Sequence, residues 1–205
     1  MARGAGAGPG ERRRVREQKR TLRKEMRARL AAIPPAARAD LSRSAMELLR
    51  ARPEWGQART VLGFLSTPDE LDVRPAIHQA LESGKNVGLP RYQPARDAYG
   101  AAEYRGEVLP PGRFGIPEPA ARAPDLPLNR LDFVLVPGVA FDGFGGRLGR
   151  GKGFYDRLLA EIGGLKCGVA FDEQIVGQLP SEPHDIAMDF ILTPTRWIAI
   201  RRSAD

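Results

Sequence analysis

The sequence is short of most groups that protein catalysts use as nucleophiles or metal ligands. One cysteine, Cys167, stands among 205 residues, so no intrachain disulfide framework exists and a reducing, cytoplasmic setting is expected. Cys167 lies in the apolar stretch 166–171 without an activating neighbour in sequence, and reads as a buried structural thiol. The two histidines, His78 and His184, are not spaced as a metal pair, and neither a Ser–His–Asp set nor a zinc-ligand cluster accompanies them. His78 falls on an expected helix and reads as structural or exposed, whereas His184, in an EPHD segment, is the better candidate for a site role. No apolar run approaches the length of a membrane span or resembles a secretory signal.

Acidic residues are scarce at one end. Residues 1–30 hold eleven Lys or Arg against three Glu, so a segment of about +8 accounts for the whole formal charge of +7 and the remainder sums to about −1. That basic segment contains no aromatic residue, which removes the stacking platforms of single-strand nucleic-acid binders and makes nucleic acid an unlikely partner. Glu11, Glu17 and Glu25 count against a transit peptide. Residues 1–10, almost entirely Gly, Ala and Pro with one Arg, are expected to be a disordered tail, and 11–205 a single domain.

What the chain has in excess is glycine and cations between positions 143 and 153. An apolar β-branched run from 133 to 141 feeds a loop holding Gly143, Gly145, Gly146, Gly149, Gly151 and Gly153, with Arg147, Arg150 and Lys152 among them. The order predicted is strand, glycine-rich loop, helix. Glycines let backbone N–H groups approach an anion, and the helix N-terminus adds its dipole. From Gly146 the spacing reads G-x-x-x-x-G-K, but Gly153 stands where a phosphate loop requires Ser or Thr. The strict motif is therefore rejected and an anion-binding loop is retained; a solvated glycine-rich connection is the alternative.

Elsewhere, apolar periodicity predicts helices over 11–32, 36–50, 72–82 and 154–162, with Pro34 and Pro35 ending the first. Strands are expected at 60–65, 86–89, 102–108, 166–171, 190–192 and 197–200, with a helical turn at 173–176 and irregular loops over 91–100 and 109–128. Alternating strands and helices imply an α/β fold, a single three-layer α/β/α Rossmann-like domain with a mostly parallel central sheet. Ligands of such sheets bind at the carboxyl ends of the strands, where the 66–72 and 143–153 loops can share an edge.

RLGRGKGFYD at 147–156 resembles the signature of the 5-formyltetrahydrofolate cyclo-ligase (5,10-methenyltetrahydrofolate synthetase) family. KRTLR at 19–23, FLSTPDELD at 64–72, LPRYQ at 89–93, FGIPEP at 114–119 and EPHDIAMDFILT at 182–193 fall in the same order as in that family. The resemblance implies an ATP-dependent ligase that closes 5-formyltetrahydrofolate, including its polyglutamylated forms, to 5,10-methenyltetrahydrofolate. It further implies ATP contacts from Lys19, Arg23, Arg147, Leu148, Gly149, Arg150, Gly151, Lys152, Gly153, Phe154 and Tyr155, with Arg147, Lys152 and Tyr155 as the catalytic group. The folate would be held by Leu65, Glu70, Arg150, Gly151, Lys152, Gly153 and Phe154, and Mg²⁺ by Asp156 and Asp185, with Asp189 a structural or supporting acid. Read without the resemblance, Lys19 and Arg23 are a solvated basic face, Glu70 caps the helix that follows it, and Asp156 favours a helix dipole.

Two departures stand out: the basic extension before Lys19, and the LDV of 71–73, whose third residue is more usually polar. Two other functions remain open at this stage, a non-catalytic nucleotide-binding regulator on the same fold and a nucleic-acid-binding protein using the basic N-terminal helix.

Overall fold

The computed structural model describes residues 8–112, 115–182 and 185–201. Its first helix, α1 (Pro9–Ala31), is charged on most sides, yet Leu22, Met26 and Leu30 repeat at helical spacing and Met26 and Leu30 are buried. The helix starts two residues before the expected boundary; residues 1–7 of the expected tail lie outside the described residues, as does His184. Pro35 does not merely end α1: it is the first residue of α2 (Pro35–Arg50), a position where a missing N–H leaves no bond unmade. A short α3 (Pro53–Gln57) was not anticipated. It delivers Trp55 edge-on to Phe133, with ring centroids 5.5 Å apart.

The remaining elements are β1 (Thr60–Leu62), α4 (Arg74–Glu82), β2 (Asn86–Gln93), β3 (Ala98–Glu103), β4 (Phe133–Pro137), β5 (Ala140–Asp142), β6 (Arg147–Leu148), α5 (Phe154–Ala160), β7 (Leu165–Val169), β8 (Ile175–Val176), β9 (Phe190–Leu192) and β10 (Trp197–Ala199). Seven strands form the main sheet in the order β10-β9-β7-β4-β1-β2-β3. Its five inner strands run parallel and each outer strand is antiparallel to its neighbour. The strands are apolar on both faces because both are covered: Val61, Phe133 and Leu135 join a core with α2, α3 and α4, while Leu62, Val134 and Val136 join one with Leu158, Leu159 and Ile162 of α5 and its exit. This is the expected α/β architecture with a mostly parallel sheet between helical layers.

Several boundaries differ from expectation. The segment 91–100, expected to be irregular, is a β-hairpin, so the strand expected at 102–108 is instead β3 at Ala98–Glu103 and Val108 is exposed. Pro90 obscured it. Beyond Gly88, β2 pairs only with β3, so a residue without an N–H sits on an open edge at no cost. Strand β1 stops at Leu62 rather than 65, which releases Phe64 and Leu65 from the ladder. Helix α4 begins at Arg74 with Val73 as its N-cap and no side-chain cap, so Glu70 does not cap it; the Arg74 N–H donates to Asp72 at 3.0 Å.

The largest correction concerns the glycine-rich loop. Strand β5 leaves the main sheet, and Arg147–Leu148, expected to be loop, folds back on it as β6; β8, in the expected helical turn 173–176, completes a three-stranded sheet β6-β5-β8. Asp142 is buried and organises the hairpin, accepting from the N–H groups of Phe144 at 2.9 Å, Gly146 at 2.8 Å and Leu179 at 2.7 Å. Gly145 has φ of +87°, and a Cβ there would lie 2.8 Å from the Met188 carbonyl oxygen. A left-handed conformation costs a residue other than glycine roughly 1–2 kcal/mol. At about 2–4 °C per kcal/mol for a chain of this size, Gly145→Ala is expected to lower Tm by roughly 4 °C or more in a thermal melt, and an unchanged Tm would show that the turn is not fixed as described.

Chain order reverses between β1 and β4: β2 and β3 lie to one side of β1, β4, β7 and β9 to the other. The crevice at such a reversal, beyond the carboxyl ends of the strands, is where open α/β sheets bind ligands.

Candidate active site

A cavity of about 720 Å³ opens at this crevice. Three segments build its walls: the turn after β1, with Phe64, Leu65, Thr67 and Glu70; Pro137 and Gly138 at the end of β4; and Arg147–Asp156 from β6 through the start of α5. Helix α1 closes one side with Arg16, Lys19 and Arg23, and Glu182 and Asp185 come from the loop ahead of β9. The fifteen residues to which the resemblance gives an ATP, folate or Mg²⁺ contact, from Lys19 to Asp185, therefore line one cavity; His184 is outside the described residues. Asp189 does not line it; it accepts from the Lys166 N–H at 2.8 Å and ties the start of β7 to that of β9. His78 is exposed on α4.

The position of Lys19 follows from helix spacing. Residues 19, 22, 26 and 30 lie on one face of α1, where Leu22 and Met26 pack on Ala140, Leu148 and Leu179 of the small sheet and its flank. Lys19 occupies an otherwise apolar stripe and is only 8% exposed. Its ammonium is held by Glu182 at 3.0 Å and Asp185 at 2.7 Å. One turn on, Arg23 donates to the Gly149 carbonyl at 2.9 Å and fixes the loop backbone. Burial lowers the Arg23 guanidinium from its ordinary pKa and Asp185 opposes this; a guanidinium stays charged regardless.

Arg147 is the most buried cation. Its guanidinium donates to Asp156 and, at 3.3 Å, to the Pro137 carbonyl, and lies 5.7 Å from the centroid of the Tyr155 ring. Its Nε is buried without a hydrogen-bond partner among the described residues. Leu148 is buried, its side chain among Leu22 and Met26 of α1, and its carbonyl accepts from the Val139 N–H at 2.7 Å. Gly153 caps α5 in the left-handed conformation, φ +67°. With seven residues α5 contributes little dipole, so the cations rather than the helix end make this wall attractive to anions.

The lining is also aromatic and acidic. Phe154 meets Tyr99 and Tyr92 edge-on at 5.5 and 6.0 Å. Glu118 accepts from the Tyr92 N–H at 2.9 Å and the Tyr99 hydroxyl at 3.2 Å. Glu70 accepts from the Thr67 N–H at 2.9 Å and from Arg150 at 2.9 Å. Burial, with Glu70 beside it, pushes the Tyr155 phenol well above its ordinary pKa although Arg147 pulls the other way. Tyr155 therefore keeps its proton at neutral pH.

Sequence reasoning did not assign Arg16, Phe64, Thr67, Leu89, Pro90, Tyr99, Ile116, Pro117, Glu118, Pro137, Gly138 or Glu182 to the site. Most lie inside the segments 64–72, 89–93, 114–119 and 182–193 already singled out, and that clustering was the available signal. In all, six cations and five carboxylates line the cavity. Lys19, Arg147 and Arg150 are each ion-paired there. Among the described residues Arg16, Arg23 and Lys152 have no carboxylate partner within salt-bridge distance, so positive potential is left over for an anion.

The 5-formyltetrahydrofolate cyclo-ligase family model matches residues 15–194. The chain belongs to this family. It is 37% identical over 177 residues to the 5-formyltetrahydrofolate cyclo-ligase of Escherichia coli (strain K12), covering 83% of this chain and 97% of that one. Against the Mus musculus enzyme of the same name it is 31% identical over 191 residues, 87% and 94% of the two chains. The solved structure of Aquifex aeolicus 5,10-methenyltetrahydrofolate synthetase superposes with a TM-score of 0.82 at 32% identity, over 91% of this chain and 95% of that one. The cyclo-ligases are ligases of folate one-carbon metabolism, and the cavity at the β1/β4 reversal is this chain's candidate for their active site. The matched region begins at residue 15, so Pro9–Arg14 of α1 is an extension beyond it.

The metal residues need separate treatment. Among the described residues no group of three or more His, Cys, Asp or Glu is placed to hold a metal ion unaided. Asp156 and Asp185 nevertheless both face the cavity. Mg²⁺ keeps several waters and takes one or two carboxylates alongside substrate phosphates, so this donor set fits an ion that arrives with a nucleotide. No helix of the described residues is long and apolar enough to cross a membrane.

Proposed function

We propose that the protein converts 5-formyltetrahydrofolate, including polyglutamylated forms, to 5,10-methenyltetrahydrofolate, consuming ATP and releasing ADP and phosphate. The observation that carries this reading is one cavity lined both by cations, for a polyphosphate, and by aromatic rings and carboxylates, for a flat heterocycle with N–H donors. A formyl oxygen on N5 is a poor leaving group. Transfer of the γ-phosphoryl group forms an O–P bond at that oxygen while the bond to the β-phosphate oxygen breaks and ADP departs. N10 then attacks the formyl carbon, loses its proton, and expels the oxygen as phosphate.

No protein nucleophile is needed, and catalysis rests on positioning and charge stabilisation. Lys19, Arg23, Arg147, Arg150 and Lys152 bind the phosphates, and Tyr155 supplies a neutral hydrogen bond beside Arg147. Glu70 accepts from the heterocycle's N–H groups while Phe154 and Leu65 bound its faces. Asp156 and Asp185 would hold Mg²⁺, which would supply neutralisation of phosphate charge when bound. The working unit is the single domain 11–205, acting in the cytoplasm, where the thiol of Cys167 stays reduced; burial raises its pKa and keeps it inert. Neither a membrane nor nucleic acid takes part.

Incubation with 5-formyltetrahydrofolate, ATP and Mg²⁺ tests the reading. The methenyl chromophore is expected only when all three are present, with one phosphate per product. Asp156→Asn and Asp185→Asn are expected to raise the Mg²⁺ needed for half-maximal turnover by roughly tenfold or more, the scale of losing a charged ligand partner. Chromophore without ATP, or ATP hydrolysis indifferent to the folate, would sink the mechanism.

A further inference from the structure

Within the cavity lining, the Arg147–Asp156 segment meets the turn after β1 through Arg150 and Glu70. One Glu70 oxygen accepts from the Thr67 N–H at 2.9 Å, and the Glu70 N–H in turn donates to the Thr67 carbonyl at 3.0 Å. The carboxylate is therefore oriented by its own turn. Its second oxygen accepts from Arg150 at 2.9 Å, and the same Arg150 nitrogen donates to the Thr67 hydroxyl at 2.8 Å. The two partners differ in freedom: the Glu70 side chain is 13% exposed, that of Arg150 60%. The loop backbone beside Arg150 is held separately, by Arg23 on the Gly149 carbonyl. Arg150 can thus reorient without moving either the loop or Glu70.

We propose that Arg150 exchanges partners during binding, neutralising Glu70 in the empty site and turning to the nucleotide's phosphates when these arrive, which frees the second Glu70 oxygen for the folate's N–H donors. The inference rests on the substrate assignment above and adds to it a sign. Two anionic ligands in one cavity repel, so without exchange the nucleotide weakens folate binding. With exchange it tightens it. A partly exposed ion pair sets the scale at roughly two- to fivefold, and linkage requires the folate to tighten nucleotide binding by the same factor. Arg150 is in this sense a positioning residue for Glu70 as well as a phosphate ligand.

The test uses the full chain and a non-hydrolysable β,γ-imido analogue of ATP, with 5-formyltetrahydrofolate binding followed by calorimetry at fixed ionic strength. The parent is expected to bind the folate roughly two- to fivefold more tightly with saturating analogue than without it. Arg150→Gln is expected to lose the enhancement, so that its folate affinity is no higher with saturating analogue than without it. Its side chain is exposed, and an unchanged Tm verifies that the variant is folded. An analogue that leaves folate affinity unchanged or weakens it in the parent overturns the exchange, as does enhancement that survives in Arg150→Gln. Absence of folate binding in every arm would instead overturn the substrate assignment, and the exchange with it.

Discussion

Replacement of Arg147 by methionine is expected to remove at least about 99% of turnover, the scale of losing a donor aimed at developing charge in a dry site, and to lower Tm as well. Both effects come from one placement. The Arg147 side chain is 3% exposed and faces Asp156, which is 23% exposed. Removing one partner of a buried pair costs about 3–5 kcal/mol because the other charge is left behind. Methionine fills similar space but leaves Asp156 without its cation and removes the fork that bridges the β4 terminus to the start of α5. Arg147→Lys separates the two losses. It keeps the charge but not the planar bidentate geometry, so stability should recover more than turnover does. Activity is to be measured well below Tm, with circular dichroism on the same samples. Parental turnover in folded Arg147→Met would remove Arg147 from the chemistry, and an unchanged Tm would show that its pairing with Asp156 does not support the fold.

The sequence made the sheet legible where strands are continuous and apolar, and illegible where pairing depends on distant chain. Strand β9 is found at its expected 190–192 because three apolar residues there have only one way to be buried. The β2–β3 hairpin was hidden because its outer half mixes Pro90, Arg91 and Gln93, and only the absence of a partner beyond Gly88 makes that composition tolerable. Strand β6 was hidden for the opposite reason. Two residues in a glycine-rich stretch carry no periodicity, and they pair because Asp142 folds the chain back.

For the candidate site, many of the residues that line the cavity could be named before the fold was known, but their mutual pairing could not. Nothing in KRTLR and EPHD states that Lys19 meets Glu182 and Asp185, since 163 and 166 residues separate them. Tyr99 and Glu118 were missed because an aromatic on a hairpin and a carboxylate among prolines are ordinary surface residues until the sheet brings them to Phe154. Lys19 carried the clearest unused signal. A lysine that interrupts an apolar helical stripe must either reach water or find a buried partner, and here it finds two.

That burial makes Lys19 the second position with a large expected effect. Lys19→Met keeps the stem that packs beside Leu22 and deletes only the charge, so the helix should remain docked. The KM for ATP is expected to rise about 30-fold or more, as when one member of a buried, hydrogen-bonded charge pair at an interface is truncated. The loss has two parts: a phosphate cation disappears, and Glu182 with Asp185 remain as uncompensated negative charge where the polyphosphate must enter. The second part is separable. Adding Glu182→Gln to Lys19→Met removes one of those charges, and because residues in one ion-pair network do not act additively, the double variant should recover at least about threefold of the lost affinity. Glu182→Gln in the parent background should change the KM for ATP little, since Asp185 still holds Lys19 at 2.7 Å. Steady-state ATP titrations of the three variants at saturating folate decide the matter. A parental KM in Lys19→Met would take Lys19 out of the phosphate site, and a double variant no better than Lys19→Met would show that the carboxylates do not repel the nucleotide.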